Sequence, residues 1–127
     1  MARAPASVLV VDGANVVGAR ADGWWRDRAG AARRLHEELL VADLDAEVVV
    51  LVLEGGAKAG VRAGRDVHVR TVHAPRDGDR TIVDQAREAV AAGARTTVVS
   101  ADRALQARAA GVGALAVGPS WLLDRLG

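Results

Sequence analysis

The stretch SVLVVDGAN, residues 7–15, decides how the rest of the chain is interpreted. Residues 8–11 form an unbroken apolar run, which is typical of a strand buried on both faces of a sheet. Asp12 follows directly and is therefore predicted at the carboxyl end of this strand, where open α/β sheets bind their ligands. Asp12 is thus either a turn residue or a ligand-binding group.

Length and composition limit the classes of protein that need to be considered. The chain has 127 residues, of which 50% are hydrophobic, and this predicts one folded domain over residues 1–127. No apolar run approaches the length of a membrane span, and residues 1–5 contain no signal-peptide core, so we predict a cytoplasmic protein with no membrane partner. The absence of cysteine excludes disulfides and thiolate metal sites, so a metal ion would need oxygen or imidazole ligands.

Strand and helix patterns alternate along the chain. Strands are predicted at residues 8–11, 47–53, 67–72, 96–100 and 114–117, and helices at residues 27–42, 79–93, 102–110 and 119–126. Segments 13–26 and 55–66 are predicted as loops, and the half-polar strand 67–72 is predicted at the edge of the sheet. The alternation predicts an α/β fold with a parallel sheet and right-handed crossovers.

Four acidic residues follow these elements on one edge of the predicted sheet. Asp12 and Glu54 end the first two strands, while Asp79 and Asp102 begin the helices that follow the third and fourth strands. Carboxylates gathered at one edge raise one another's pKa unless a cation neutralises them. We therefore predict a Mg²⁺ or Mn²⁺ site that polarises a phosphoryl oxygen and activates water for phosphodiester hydrolysis.

Each of these acids also has a purely structural explanation. Asp79 and Asp102 stand where a helix N-cap is expected, and an acid followed by glycine at 12–13 and 54–55 is typical of a tight turn. Recurrence at four successive elements favours metal binding, because turns alone would accept Asn, Ser or Gly. Asp84 projects to a different side of its helix from Asp79, and is predicted to be solvated or paired with Arg80 or Arg87, with a supporting place behind the metal ligands as the alternative.

Four short motifs resemble the NYN domains of the PIN-like nuclease superfamily, most closely the YacP-like group. They are DGANVV at 12–17, LEG at 53–55, GDRTIVDQA at 78–86 and VVSADRAL at 98–105. The resemblance covers nearly the whole chain. It implies a single-domain, three-layer α/β/α sandwich with a four- to five-stranded parallel sheet of order 3-2-1-4-5, and metal-dependent cleavage of RNA.

The same resemblance implies roles for individual residues. Asp12 would be the central metal ligand, completed by Asp79, Asp102 and Glu54. Asn15 would lie near the scissile phosphate, and Ser100 would line the acidic cluster. Relatives often carry Asp at the position of Glu54 and a second consecutive acid at the position of Arg80, so the number of metal ions stays open.

The segment after Asp12 supplies candidate contacts to RNA. Aromatic rings stack on unpaired bases and arginines hold phosphates, so this composition indicates single-stranded RNA, although one of the two tryptophans is expected to be buried. The candidate residues are Arg20, Trp24, Trp25, Arg26 and Arg28.

A second basic segment lies in the glycine-rich region 55–66, with Lys58, Arg62 and Arg65. The net charge is only +1, so any positive field is local. These side chains either bind the phosphate backbone or are solvated, and the sequence favours neither.

Other types of site have little support. The three histidines lack zinc-binding spacing, and His36 is predicted on a helix surface, while His73 could touch substrate. Val61 stands where a P-loop needs lysine. Trp121 is assigned to packing.

The sequence therefore predicts a small metal-dependent ribonuclease. Two alternatives stay open: a non-catalytic RNA-binding or regulatory module, and a metal-dependent phosphohydrolase acting on nucleotides or small phosphate esters. Whether the chain forms a homodimer is also open.

Overall fold

Strands and helices alternate along residues 4–127, the part of the chain that this computed structural model describes. The elements in chain order are β1 (Ser7–Asp12), α1 (Gly13–Gly18), α2 (Arg28–Val41), β2 (Val48–Leu53), β3 (Gly64–Asp66), β4 (Val69–His73), α3 (Gly78–Ala91), β5 (Arg95–Val99), α4 (Arg103–Gly111), β6 (Leu115–Val117) and α5 (Pro119–Leu126). Short 3₁₀ segments occupy Trp24–Arg26 and Gly55–Gly60. The expectations for residues 1–3 lie outside this range.

One six-stranded sheet with the order β3-β4-β2-β1-β5-β6 forms the centre of the fold. All neighbouring strands are parallel except β3, which pairs antiparallel with β4. Every residue of the central strand β1 is buried, as its continuous apolar sequence predicts. The α/β class and the order of the five predicted strands are confirmed, with one additional strand at the edge.

Helices cover both faces of the sheet and make the three layers. Alternate residues of β1 point to opposite faces, so Leu9 and Val11 pack with α2 and α5, whereas Val8 and Val10 pack with α3 and α4. His36 is correspondingly buried, with 9% of its surface exposed, and its predicted place on the helix surface is wrong. None of the helices in residues 4–127 is long and apolar enough to cross a bilayer.

Both segments predicted as loops contain regular structure. Segment 13–26 holds α1 and a 3₁₀ turn, because Asp12 caps α1 and Val16 and Val17 are buried by it. Segment 55–66 holds a 3₁₀ turn and β3, so β4 is an interior strand and not the edge strand that was predicted. The turn between β3 and β4 places Val67 at a φ of 52°, a conformation usually taken by glycine or asparagine, and therefore the sequence gives no hairpin signal there.

The start of α1 passes very close to β2. A Cβ atom on Gly13 would lie 2.7 Å from the Val52 carbonyl oxygen and 2.9 Å from Leu53 Cδ2. The backbone oxygen cannot move aside without disturbing the sheet. Only glycine therefore lets α1 begin immediately after Asp12.

We expect Gly13→Ala to lower the free energy of unfolding by about 1–3 kcal/mol because the added methyl group overpacks this contact. Urea unfolding at equilibrium measures the change. Gly111→Ala is the matched control, because a Cβ atom at the end of α4 would meet no atom within 4 Å. Equal stability of the two variants would contradict the close approach.

Candidate active site

Asp12 lies at the carboxyl end of β1, between the ends of β2 and β5, and only 3% of its surface is exposed. Three donors hold its carboxylate. Asn15 Nδ2 donates to Oδ2 at 2.7 Å, Ser100 Oγ donates to the same oxygen at 2.9 Å, and the Asn15 backbone N–H donates to Oδ1 at 3.3 Å. The carboxylate is therefore held in one orientation at the edge of the sheet.

Asn15 and Ser100 also connect Asp12 to the segment that follows β5. The Ala101 backbone N–H donates to Asn15 Oδ1 at 3.2 Å, and the Asp102 backbone N–H donates to Ser100 Oγ at 3.1 Å. Ser100 is fully buried. The two side chains thus position the acids that end β1 and begin α4.

The remaining acids occupy the neighbouring helix starts. Asp102 caps α4 by accepting from the Leu105 backbone N–H at 3.1 Å, which confirms its predicted N-cap position. Asp77, and not Asp79 as predicted, caps α3, because its side chain accepts from the Asp79 backbone N–H at 3.1 Å. Glu54 Oε2 accepts from the Gly78 backbone N–H at 3.1 Å.

The buried position of Asp12 disfavours its charged form. Burial raises the pKa of Asp12 above its ordinary value, and the negative charge of Asp79 raises it further. The hydrogen bonds from Ser100 and Asn15 act in the opposite direction without cancelling the effect of burial. An ionised Asp12 is therefore destabilised unless a positive charge is nearby.

Burial and neighbouring negative charges also raise the pKa values of Glu54 and Asp79. Burial raises the pKa of Glu54, the Gly78 N–H lowers it, and the charges of Asp12, Asp77 and Asp79 raise it. Burial also raises the pKa of Asp79, with further contributions from Asp102 and Asp77 that Arg108 partly opposes. The acids predicted at this edge are consequently coupled through their charges.

Hard divalent cations prefer carboxylate oxygens, and burial raises the pKa of three carboxyl groups at this edge, those of Asp12, Glu54 and Asp79. Within residues 4–127, no three His, Asp or Glu side chains stand ready to hold one ion. Mg²⁺ usually keeps several waters and takes only one or two carboxylates from the protein, together with substrate phosphates. The arrangement suits that mode of binding better than a closed cage.

The arginine and tryptophan residues that follow α1 differ in their availability. Arg20 makes a bidentate ion pair with Glu38, at 2.6 and 2.8 Å, so its guanidinium group is already engaged. Trp24 is half-buried against the core, whereas Trp25 is 56% exposed and contacts Trp24 edge-on at 6.0 Å.

Arginine side chains cover both rings: Arg26 lies over Trp25 at 5.8 Å and Arg28 over Trp24 at 4.9 Å. The indole group of Trp121 packs against the core, as predicted. The guanidinium carbon of Arg125 lies 4.0 Å from the centroid of this ring.

The second basic segment is partly engaged in hydrogen bonds. Lys58 Nζ donates to the Ala74 carbonyl at 3.1 Å, and Arg65 Nε donates to the Val67 carbonyl at 2.9 Å. Arg62 is exposed and contacts no described residue through a polar group. His73 Nε2–H donates to the Val61 carbonyl at 2.7 Å, so one of its two ring nitrogens is engaged.

Two residues beside the site were absent from the sequence prediction. Asp77 contributes its charge to Glu54 and Asp79, and Arg76 borders a cleft next to Glu54. The acid–glycine–acid pattern at 77–79 was a usable signal for Asp77. Nothing in the sequence marks Arg76. Asp84 pairs with Arg87 at 3.1 Å, one of its two predicted partners.

The architecture is similar to that of two crystal structures of Rae1 (YacP) from Bacillus subtilis. One has a TM-score of 0.77 at 20% sequence identity and covers 94% of this chain and 73% of that chain. The other, of a mutant of the same protein, has a TM-score of 0.73 at 20% identity and covers 94% and 74%. This similarity confirms the three-layer α/β fold. No protein-family model and no curated protein matches the chain.

We expect the unfolding temperature of Asp12→Asn, measured in chelator, to rise relative to that of the wild type as the pH rises from 3.8 through the raised folded-state pKa of Asp12. The folded-state pKa of Asp12 lies above its ordinary value of 3.8, so the wild type loses stability as pH rises through that pKa. Asn does not titrate, so the variant does not lose stability in this way as pH rises. Its altered hydrogen bonds change its stability by an amount that does not depend on pH.

Asp84→Asn, which removes an ion-paired carboxylate on the surface of α3, is the control and should show no such gain. A difference between Asp12→Asn and wild type that is independent of pH would contradict the strained state of Asp12.

Proposed function

We propose that this protein is a metal-dependent ribonuclease of the YacP-like NYN group. The observation that carries the proposal is the buried carboxylate of Asp12 at the end of the central strand. Its pKa is raised by burial and by the negative charge of Asp79. The similarity of the fold to Rae1 (YacP) supports the group, and the four sequence motifs contain Asp12, Glu54, Asp79 and Asp102.

One or two of the acids Asp12, Asp79, Asp102 and Glu54 would hold Mg²⁺ or Mn²⁺, together with waters and a substrate phosphate. When bound, such an ion polarises a phosphoryl oxygen and lowers the pKa of an attacking water. Asn15 and Ser100 keep the Asp12 carboxylate oriented. Arg80 is exposed in the first turn of α3 and adds positive charge beside Asp79, which favours one ion over two.

Single-stranded RNA is the proposed substrate. Trp24, Trp25, Arg26 and Arg28 form an aromatic and cationic surface, and stacking on such rings is worth roughly 1–3 kcal/mol per base. Lys58 and Arg62 would contact the phosphate backbone.

The alternative of a non-catalytic RNA-binding module is favoured by one observation. No three acidic or histidine side chains in the described part of the chain are arranged to hold an ion as they stand. This module would bind RNA equally well with or without divalent cations, and removal of the Asp12 charge would leave every activity intact.

We expect Asp12→Asn to cleave labelled single-stranded RNA in Mn²⁺ about 100-fold more slowly than the wild type, or worse, because an ion held by the acids contributes several kcal/mol to the transition state. Gel analysis of the products measures the rates, with chelator as the metal control. Asp84→Asn is the matched control and should retain full activity.

Equal cleavage by wild type and Asp12→Asn would reject the ribonuclease assignment. Hydrolysis of a small phosphate ester such as p-nitrophenyl phosphate, without cleavage of RNA, would instead indicate a phosphohydrolase.

We expect Ser100→Ala to shift the acidic limb of the pH–rate profile to higher pH. The Ser100 hydroxyl lowers the pKa of Asp12, so its removal raises that pKa, and the ionised carboxylate forms only at higher pH. The loss of the acceptor for the Asp102 N–H also costs about 1–3 kcal/mol of stability. Ser100→Thr keeps the hydroxyl and should restore the profile, whereas an unshifted limb in Ser100→Ala would exclude this role.

A further inference from the structure

A cleft of about 360 Å³ opens beside the acidic cluster. Its apolar lining includes Trp24, Val17, Ala57 and the start of α1. Its lining is mainly apolar with a few charged groups, and its volume lies at the lower end of the range for small-molecule sites, roughly 300–1,000 Å³. We refer to it as the Trp24 cleft.

The charged groups at the mouth of the Trp24 cleft are of both signs. Arg28 and Arg76 border it together with Glu54 and Asp77. Both arginines are exposed, and Arg76 has no ion pair or hydrogen bond to any residue in the range 4–127. A free guanidinium group at the mouth of an apolar cleft suits a ligand with an apolar face and an anionic end.

Trp24 has the properties of a fixed stacking surface, and Trp25 does not. Trp24 packs against the core, and Trp25 contacts it edge-on. Trp25 lies outside the cleft lining and is mostly exposed. A ring that is already immobilised loses little conformational freedom when a ligand stacks on it.

Glu54 belongs both to the cleft and to the acidic cluster. Its side chain borders the Trp24 cleft, and its Oε2 accepts from the backbone N–H of Gly78, the residue before Asp79, at 3.1 Å. A ligand in the cleft is consequently adjacent to the group of acids that surrounds Asp12.

We propose that the Trp24 cleft binds one unpaired nucleotide of the RNA next to the bond that is cut, with its base on Trp24 and its phosphate between Arg28 and Arg76. This assignment rests on the proposed ribonuclease function. Every base has a π-face, so stacking accepts any of the four. An exposed cation–π contact is weaker than base stacking, so the base displaces the Arg28 guanidinium from the ring and the guanidinium moves to the phosphate.

The test is the affinity for a fluorescein-labelled single-stranded oligoribonucleotide, measured by anisotropy in chelator so that no cleavage occurs. We expect Arg76→Gln and Trp24→Leu each to raise Kd, by about tenfold for the loss of the stacking ring. Arg33→Gln, an exposed arginine on α2 without a polar contact to residues 4–127, is the matched control and should bind as the wild type. Trp25→Leu should weaken binding less than Trp24→Leu.

Arg76→Gln decides the outcome if Trp24→Leu does not fold, because Arg76 is exposed and does not contribute to the core. Wild-type affinity in Arg76→Gln would overturn the assignment. If Asp12→Asn cleaves RNA normally while Arg76→Gln binds weakly, the ribonuclease function fails and the nucleotide cleft stands. If Asp12→Asn is inactive and Arg76→Gln binds normally, the ribonuclease function stands and the nucleotide cleft fails.

Discussion

Burial of one carboxylate is the constraint on which the rest of the structure depends. Asp12 ends a strand that is inaccessible on both faces, so its charge is removed from most of the surrounding water. Asn15 and Ser100 supply donors that compensate only part of this cost, and the acids nearby increase it. A fold that keeps a carboxylate in such surroundings retains an unfavourable interaction whenever the group is ionised.

Parallel strand order explains why acids that are far apart in the chain lie at the same edge of the sheet. Each crossover returns the chain to the same edge, so the residues after β1, β2 and β5 and before α3 converge there. Hydrogen bonds then fix the local geometry: Asn15 links the segments after β1 and β5, and Glu54 links the end of β2 to the start of α3. The strand order therefore brings the segments of the site together, and side-chain hydrogen bonds fix their local geometry.

Features that depend on a short stretch of sequence could be predicted, and features that depend on distant contacts could not. Continuous apolar runs identified β1 and β2, and the acids after them marked the edge of the sheet. Segments stabilised by distant contacts were missed: α1 depends on Gly13 fitting against Val52, and β3 depends on an unusual turn at Val67. Likewise, no pattern in the sequence indicates that Arg20 pairs with Glu38, 18 positions away, or that Arg76 borders the Trp24 cleft.

The two outermost strands of the sheet have a consequence for association between molecules. Both β3 and β6 contain only three residues, so each exposed edge offers few free backbone groups to another chain. Short edge strands are one of the ways in which natural proteins prevent uncontrolled sheet extension and aggregation. A homodimer of this protein would accordingly have to form through its helical faces or its loops, and a continuous sheet across two copies is disfavoured.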